Sequence, residues 1–487
     1  MSSERRALIL SGPQYFNQRK PISGVVKRRL MRINPLSVGI VSSKLKEYGY
    51  ETTYRSINPD KIEGLDEQIE WADETFISAR YFDITPAQKV IAAANRLGKR
   101  TIVGGYGPTF NSEAFADASV RVYGEAEPVL DILIDDLRSS KEEAEYDARN
   151  LPPFDLSEYI HPDRSIYSPP RVGPRLHAFE TQRACPNACS FCAPTRLQKR
   201  GKEGVRVRPI DDVIKEVETA ELQKGDNIFF VDLNTMSIPD QQLEELFSWL
   251  KAKEIRWYTE GTVAKLVKNT KTANILLDQM SPLDGQGGCY EFLYGADDLA
   301  IERTRGSKNK KRSMITKAVR IFKEHGIALN LSIVVGLDHH RYPETFYQIA
   351  SQINDAQPTY TFFHIATPYQ GTPWGDQVYE ADRVFETDST KFNHQQAVAY
   401  PKSMTREELE QGYIWLKRQF NTPARIRDTA QKHFNPKAMR QDPLLGVMLT
   451  GLPWAVETWL GLQELKARGY IDPQVQRELD QGYRNWQ

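Results

Sequence analysis

Short apolar runs alternate with stretches whose apolar residues recur every three or four positions, and this alternation governs most of the chain. Residues 7–10 (Ala-Leu-Ile-Leu) are too short a run for a helix and read as a strand, as do 75–78 and 100–103. Helical spacing marks 35–48, 86–97 and 127–137. Strands alternating with helices predict an α/β fold, with a doubly wound, Rossmann-like parallel sheet over residues 1–150. Prolines then crowd the chain, from Pro152-Pro153 through Pro169-Pro170 to Pro174. Proline resists helix interiors and central strands, so 151–175 reads as a linker.

A second α/β run follows. Strand-like segments at 176–181, 227–232, 255–259, 290–294, 327–335 and 359–366 are interleaved with helical spacing at 210–221, 241–252, 313–325 and 342–353. Six such units predict a (β/α)6 partial TIM barrel over 176–384, with its chemistry at the carboxyl ends of the strands. Residues 385–487 read as a mostly helical C-terminal region, with good spacing over 407–420. The segment 443–465 is largely apolar, its only charges being Glu457 and Glu464, and Gly446, Gly451 and Pro453 interrupt it. It reads as a packed helical cap, or as a lid or interface facing an apolar substrate or a second subunit.

Charge changes the picture by exclusion. Lys+Arg and Asp+Glu both number 64, so the balance asks for neither nucleic acid nor an anionic surface as partner. The basic run Lys308 to Arg312 lacks interleaved aromatics and reads as a solvated loop. The first apolar run is too short for a signal-peptide core, and no stretch of about 18 apolar residues suggests an integral membrane segment. A cytoplasmic location is expected.

The cysteines carry the chemistry. Three of the four fall within Cys185-Pro-Asn-Ala-Cys189-Ser-Phe-Cys192, just after the first barrel strand. A disulfide framework would spread them along a short chain. A structural zinc site needs four ligands, and no fourth Cys or His lies close by. Three thiolates on one loop can hold three irons of a 4Fe–4S cubane and leave the fourth open to a chelating molecule.

This C-x3-C-x2-C spacing, with Phe191 before the third cysteine, resembles the signature of the radical S-adenosylmethionine (SAM) superfamily. Other strand ends resemble it too: Phe230-Val-Asp-Leu-Asn234, Thr259-Glu-Gly261, Val334-Val-Gly336 and Thr367-Pro-Tyr-Gln-Gly-Thr-Pro373. Tyr294-Gly-Ala-Asp-Asp298 stands where such enzymes often carry G-x-E-S, with Asp297 in place of the glutamate that positions the ribose. The resemblance implies Cys185, Cys189 and Cys192 as metal ligands and Phe191, Asp232, Asn234, Glu260, Asp297 and Gly336 as SAM contacts. Thr101 to Thr109, with Val122-Tyr-Gly-Glu125, is similar to the cobalamin-binding domain that precedes many such barrels. Paired glycines at a strand end let a large planar ligand approach the backbone, which points to Gly104 and Gly105, with Ser78 and Thr109, as cobalamin contacts. A ligand-free, vestigial version of that domain is the alternative. The usual D-x-H-x-x-G motif is missing, and no histidine precedes His161, so no histidine of the N-terminal domain can reach cobalt.

The resemblance implies reductive cleavage of SAM at the cluster and cobalamin-dependent C-methylation of a small biosynthetic intermediate. It also implies a small-molecule substrate and an electron donor such as flavodoxin or ferredoxin. The alternatives are a non-methylating radical cyclisation, ring contraction or oxidation, and a non-catalytic cobalamin sensor or carrier. No side chain stands out as catalytic. Cys289 reads as a buried small hydrophobe. His339 and His340, at a strand end, are candidates for a substrate-facing acid or base, and His364, within a strand, is a candidate to face the barrel interior.

Overall fold

The computed structural model describes residues 5–12, 33–57, 62–167, 176–198, 204–223, 226–285, 287–297, 308–422, 424, 461–463, 465–467 and 469–487. The first sheet holds β1 (Arg5–Ser11), β2 (Tyr50–Ser56), β3 (Glu74–Ser78), β4 (Arg100–Gly104), β5 (Val120–Tyr123) and β6 (Glu145–Asp147), all parallel, in the order β2-β1-β3-β4-β5-β6. β1 explains the double winding. Leu8 and Leu10 pack with Ile77, Val103 and the helix Ile84–Arg96, while Ala7 and Ile9 pack on the other face with Ile102 and the helix Glu127–Ser139. The strand order reverses between β1 and β3, the place where open α/β sheets bind ligands at their carboxyl edge. Register sets Ser11, Ser78 and Gly104 in one row along that edge.

The second sheet runs β14-β13-β12-β11-β10-β7, again all parallel and in chain order. Its strands are β7 (Leu176–Phe179), β10 (Asn227–Phe230), β11 (Arg256–Gly261), β12 (Gly288–Asp297), β13 (Ala328–Val335) and β14 (Tyr360–Ile365). Alternation divides each strand between two environments. Phe179, Phe230, Trp257, Phe292, Leu331 and Phe363 point outward into the core beneath the helices. Phe229, Tyr258, Leu293, Ser332, Phe362 and His364 occupy the other face and are only half-buried, and Gly295 is exposed. An eight-stranded barrel fills its interior with side chains; six strands leave the inner face lining an open cleft.

Between the sheets the proline-rich stretch, where described, is a packed strap. Leu156 and Tyr159 join Ile40 and Leu130, the Tyr167 hydroxyl donates to the Pro35 carbonyl at 2.5 Å, and Ser43 Oγ donates to the His161 carbonyl at 2.6 Å. The helices Arg406–Phe420 and Pro473–Trp486 pack on the barrel, with Trp415 Nε1 donating to Asp480 at 2.8 Å and Phe420 against Phe363. Of the apolar segment 443–465, all but 461–463 and 465 lie outside the described residues. Among the described residues no helix is long and apolar enough to cross a membrane.

Candidate functional site

The cysteine loop is built from its two ends. Beyond β7 the chain forms a short antiparallel pair, β8 (Gln182–Arg183) with β9 (Arg206–Val207). Ala184 then turns sharply at φ 71° and delivers Cys185, and its N–H donates to Gln198 Oε1 at 2.9 Å. Left-handed backbone at a residue with a Cβ is held only where its surroundings over-determine it. At the other end the Trp374 N–H donates to the Ser190 carbonyl at 3.0 Å, and Phe191 packs with Leu337, Ala366, Trp374 and Val378. Cys192 Sγ lies 3.1 Å from Thr195 Oγ1.

None of the three cysteines is in a disulfide; Cys185 is buried and Cys189 and Cys192 are half-buried. That donor set fits a 4Fe–4S cluster, which takes thiolates in preference to other ligands. Among the described residues no three His, Cys, Asp or Glu side chains converge as a single ion would require. A cubane does not ask that of them, since each thiolate binds its own iron.

Asp232 and Asn234 stand at the end of β10 but are committed to the protein itself. Asp232 is 1% exposed and accepts from the Thr181 N–H at 2.8 Å, the Gln182 N–H at 3.2 Å, Thr181 Oγ1 and Thr235 Oγ1. Burial pushes its carboxyl up to about 6, against the pull of those donors. Asn234 Oδ1 accepts from the Thr262 N–H at 2.9 Å. Both brace the turn that leads to Cys185 and the neighbouring strand ends. Glu260 is half-buried on the inner face of β11. Asp297 ends β12 beside Ile333, and its side chain lies outside the described residues. Gly336 has φ 93°, and its N–H donates to His340 Nδ1 at 3.0 Å.

That bond assigns His340 a structural role: it is fully buried and accepts from the Gly336 and Leu337 amides, while His339 is exposed. His364 shares the open inner face and lies 5.8 Å from the His394 ring. Burial, with His394 and Lys417 nearby, lowers the His364 pKa to about 3, so its imidazole is neutral. Cys289 is fully buried with its pKa pushed up by burial, which leaves it an inert thiol.

On the N-terminal sheet, Ser78 Oγ lies 3.1 Å from Ser37 Oγ. Thr109 is a tie: its hydroxyl donates to the Gly105 carbonyl at 2.6 Å and accepts from the Gly124 N–H at 3.0 Å. The glycine pair divides. Gly105 has φ 103°, and a Cβ there would lie 2.8 Å from the Ala79 carbonyl oxygen. The close approach of the Ala79 backbone requires glycine there, with or without a ligand. At Gly104 the nearest atom to an added Cβ is 3.6 Å away, an ordinary contact. Gly105→Ala is therefore expected to cost roughly 1–3 kcal/mol of stability with or without any ligand, whereas Gly104→Ala should leave the denaturant midpoint unchanged. Equal midpoints for the two variants would contradict this.

The two carboxyl edges face each other. Tyr106, following β4, donates from its hydroxyl to the Gln370 carbonyl beyond β14 at 2.6 Å, and Tyr81 meets Tyr369 at 5.2 Å between ring centroids. Arg183 and Arg206 beside the cysteine loop pair with Glu127 and Glu125 beyond β5. Sequence reasoning missed these pairings. The run Tyr123-Gly-Glu-Ala-Glu127 and the arginine two residues before Cys185 were the only signals available.

Residues 179–348 match the Radical SAM superfamily. Over 395 residues the chain is 24% identical to a bacteriochlorophyllide d C-12(1)-methyltransferase of Chlorobaculum tepidum, covering 79% of this chain and 82% of that protein. It is 24% identical to the anaerobic magnesium-protoporphyrin IX monomethyl ester cyclase of Cereibacter sphaeroides, over 52% of this chain and 40% of the cyclase. Among solved structures, the radical SAM methyltransferase TsrM from Kitasatospora setae, with cobalamin and a [4Fe–4S] cluster bound, superposes with TM-score 0.60 at 16% identity. The alignment covers 95% of this chain and 99% of that one, and the likeness is one of fold.

Proposed function

We propose that this chain, which carries a radical SAM domain over residues 179–348, is a cobalamin-dependent C-methyltransferase acting on a small biosynthetic intermediate. The observation that carries the reading is the convergence of two carboxyl edges on one loop that holds three cysteines outside any disulfide. Tetrapyrroles are the first substrate class to test, because the relatives above are named for methylating or cyclising them. When bound, the cluster with SAM supplies one electron and a carbon-centred radical, and cobalamin supplies a methyl group.

The chain's own residues do the rest. Cys185, Cys189 and Cys192 hold the cluster, and Glu260, Asp297 and Gly336 border the SAM position, with Asp232 and Asn234 bracing it from behind. Ser78, Gly104 and Thr109 border the corrin. The packed edges exclude water, and the open inner face admits substrate. In this reading residues 1–150 form the cobalamin domain, 176–384 the catalytic barrel and 385–487 its helical cover. A low-potential donor such as flavodoxin or ferredoxin reduces the cluster in the cytoplasm. The cyclase relative favours a second reading, radical cyclisation without methyl transfer.

The deciding experiment is anaerobic reconstitution with iron, sulfide and hydroxocobalamin, then turnover with methyl-labelled SAM. Label in the product establishes methylation. 5′-Deoxyadenosine with unlabelled product establishes the second reading. With no histidine in residues 1–160, the cob(II)alamin form is expected to show no axial nitrogen splitting from protein in its electron paramagnetic resonance spectrum. Such splitting would refute cobalt binding without a histidine.

A further inference from the structure

Between the cysteine loop and the N-terminal sheet lies a buried set of charges that the chemistry above does not use. Arg183 has 7% of its side chain exposed. Its guanidinium reaches Glu127 Oε1 at 2.7 Å, Glu180 Oε2 at 3.0 Å and Glu125 Oε1 at 3.4 Å. Arg206 grips both oxygens of Glu125, at 2.6 and 2.9 Å. Burial pushes the Glu127 carboxyl up, but Arg183 and Arg206 more than offset it and hold it below its ordinary value.

The placement of this set is specific. Arg183 precedes the turn at Ala184 and Cys185, so whatever fixes its guanidinium fixes the start of the loop. Glu125 follows Gly124, whose N–H is bound to Thr109, and Thr109 in turn bonds the Gly105 carbonyl. An unbroken path of hydrogen bonds and ion pairs therefore runs from the carboxyl edge of β4, through Thr109, Gly124 and Glu125, to Arg183 and the cysteines. The other end of the loop is tied to the barrel through Ser190 and Phe191, and just beyond it Ala193 packs against the core of the N-terminal sheet.

We propose that Glu125 and Glu127 are positioning residues that, through Arg183, hold the cysteine loop in register with the carboxyl edge of the N-terminal sheet. A ligand on that edge and the loop that carries the cluster are then mechanically linked. The link to a bound corrin rests on the function proposed above; the positioning itself does not.

The test is hydrogen exchange on the full chain with its cluster reconstituted, with and without hydroxocobalamin. Without corrin, Glu127→Gln is expected to speed exchange of the 184–192 amides roughly tenfold or more. Residues 328–335 and 365–376, on the barrel side, should be unchanged. Unchanged 184–192 amides, or a rise spread evenly over the barrel, would overturn the proposal, the latter being what general destabilisation produces. With corrin, the wild-type chain should gain protection at both 104–110 and 184–192, and the double variant Glu125→Gln/Glu127→Gln at 104–110 alone, since Glu125 also reaches Arg183. Protection spreading to 184–192 in the double variant would also overturn it. A wild-type chain that gains no protection at 104–110 would fail the cobalamin reading and leave the corrin-free comparison to decide the positioning. Glu127→Asp keeps the charge at shorter reach and should restore most of the wild-type exchange. Should Glu127→Gln not fold, Glu125→Gln, which removes the other N-terminal carboxylate on Arg183, is read in its place by the same criteria.

Discussion

Replacing Cys185, Cys189 or Cys192 singly by alanine is expected to abolish the 4Fe–4S cluster and, with it, all SAM cleavage. The three thiols share one loop, each would serve a separate iron, and no other cysteine or histidine lies within that loop to substitute. Iron content and 5′-deoxyadenosine yield after anaerobic reconstitution provide the check. Wild-type values in any one variant would sink the assignment. Cys289→Ala is the matched control: that thiol is fully buried within the barrel core, so the variant should keep its full iron content.

Arg208→Met is expected to destabilise the chain by about 3–5 kcal/mol, the cost of leaving a buried charge short of its partner. The Arg208 side chain is fully buried, pairs with Glu216 at 2.5 Å and Asp212 at 2.6 Å, and lies over the Tyr159 ring at 3.8 Å. Its loss leaves the buried Glu216 with Arg164 alone, at 2.6 Å. It also removes the cation over Tyr159 and the Arg208 bond to His161, which keeps Asp212 at 2.9 Å, in the strap that joins the first barrel unit to the helix Leu36–Glu47. Urea denaturation should show the drop, and adding Glu216→Gln should recover part of it, because the two groups share one network. A midpoint equal to wild type would show that the strap does not depend on this arginine.

Much of the fold was legible in the chain. β1 read correctly because both of its faces are buried, giving a continuous apolar run, and β13 because its core face, Leu329, Leu331, Ile333 and Val335, is apolar throughout. β2 was missed because Tyr50–Ser56 is an edge strand whose sequence, Tyr-Glu-Thr-Thr-Tyr-Arg-Ser, leaves three residues exposed. β5 and β6 were missed because four- and three-residue strands carry almost no periodicity. The helix Lys271–Met280 was missed as well, although the strand of the same barrel unit was read. The proline-rich stretch read as a linker because proline excludes regular structure. Exclusion of helix and strand does not make a segment loose, and here the strap is packed.

The three-cysteine loop was legible because its spacing is local, eight consecutive residues that any fold would keep together. The roles of Asp232 and Gly105 were not. Both lie at strand ends, as expected, yet Asp232 turns back onto Thr181 and Thr235, and Gly105 is filled by Ala79. The ion pairs joining Glu125 to Arg206 and Glu127 to Arg183 span 81 and 56 residues of sequence. By itself, then, the sequence determined the order and type of the strongly patterned elements and the spacing of the three-cysteine loop, because periodicity and spacing are properties of neighbouring residues. Only the tertiary structure decided which way each strand-end side chain points and which charges meet, because those depend on what residues far apart in the chain bring to the same place.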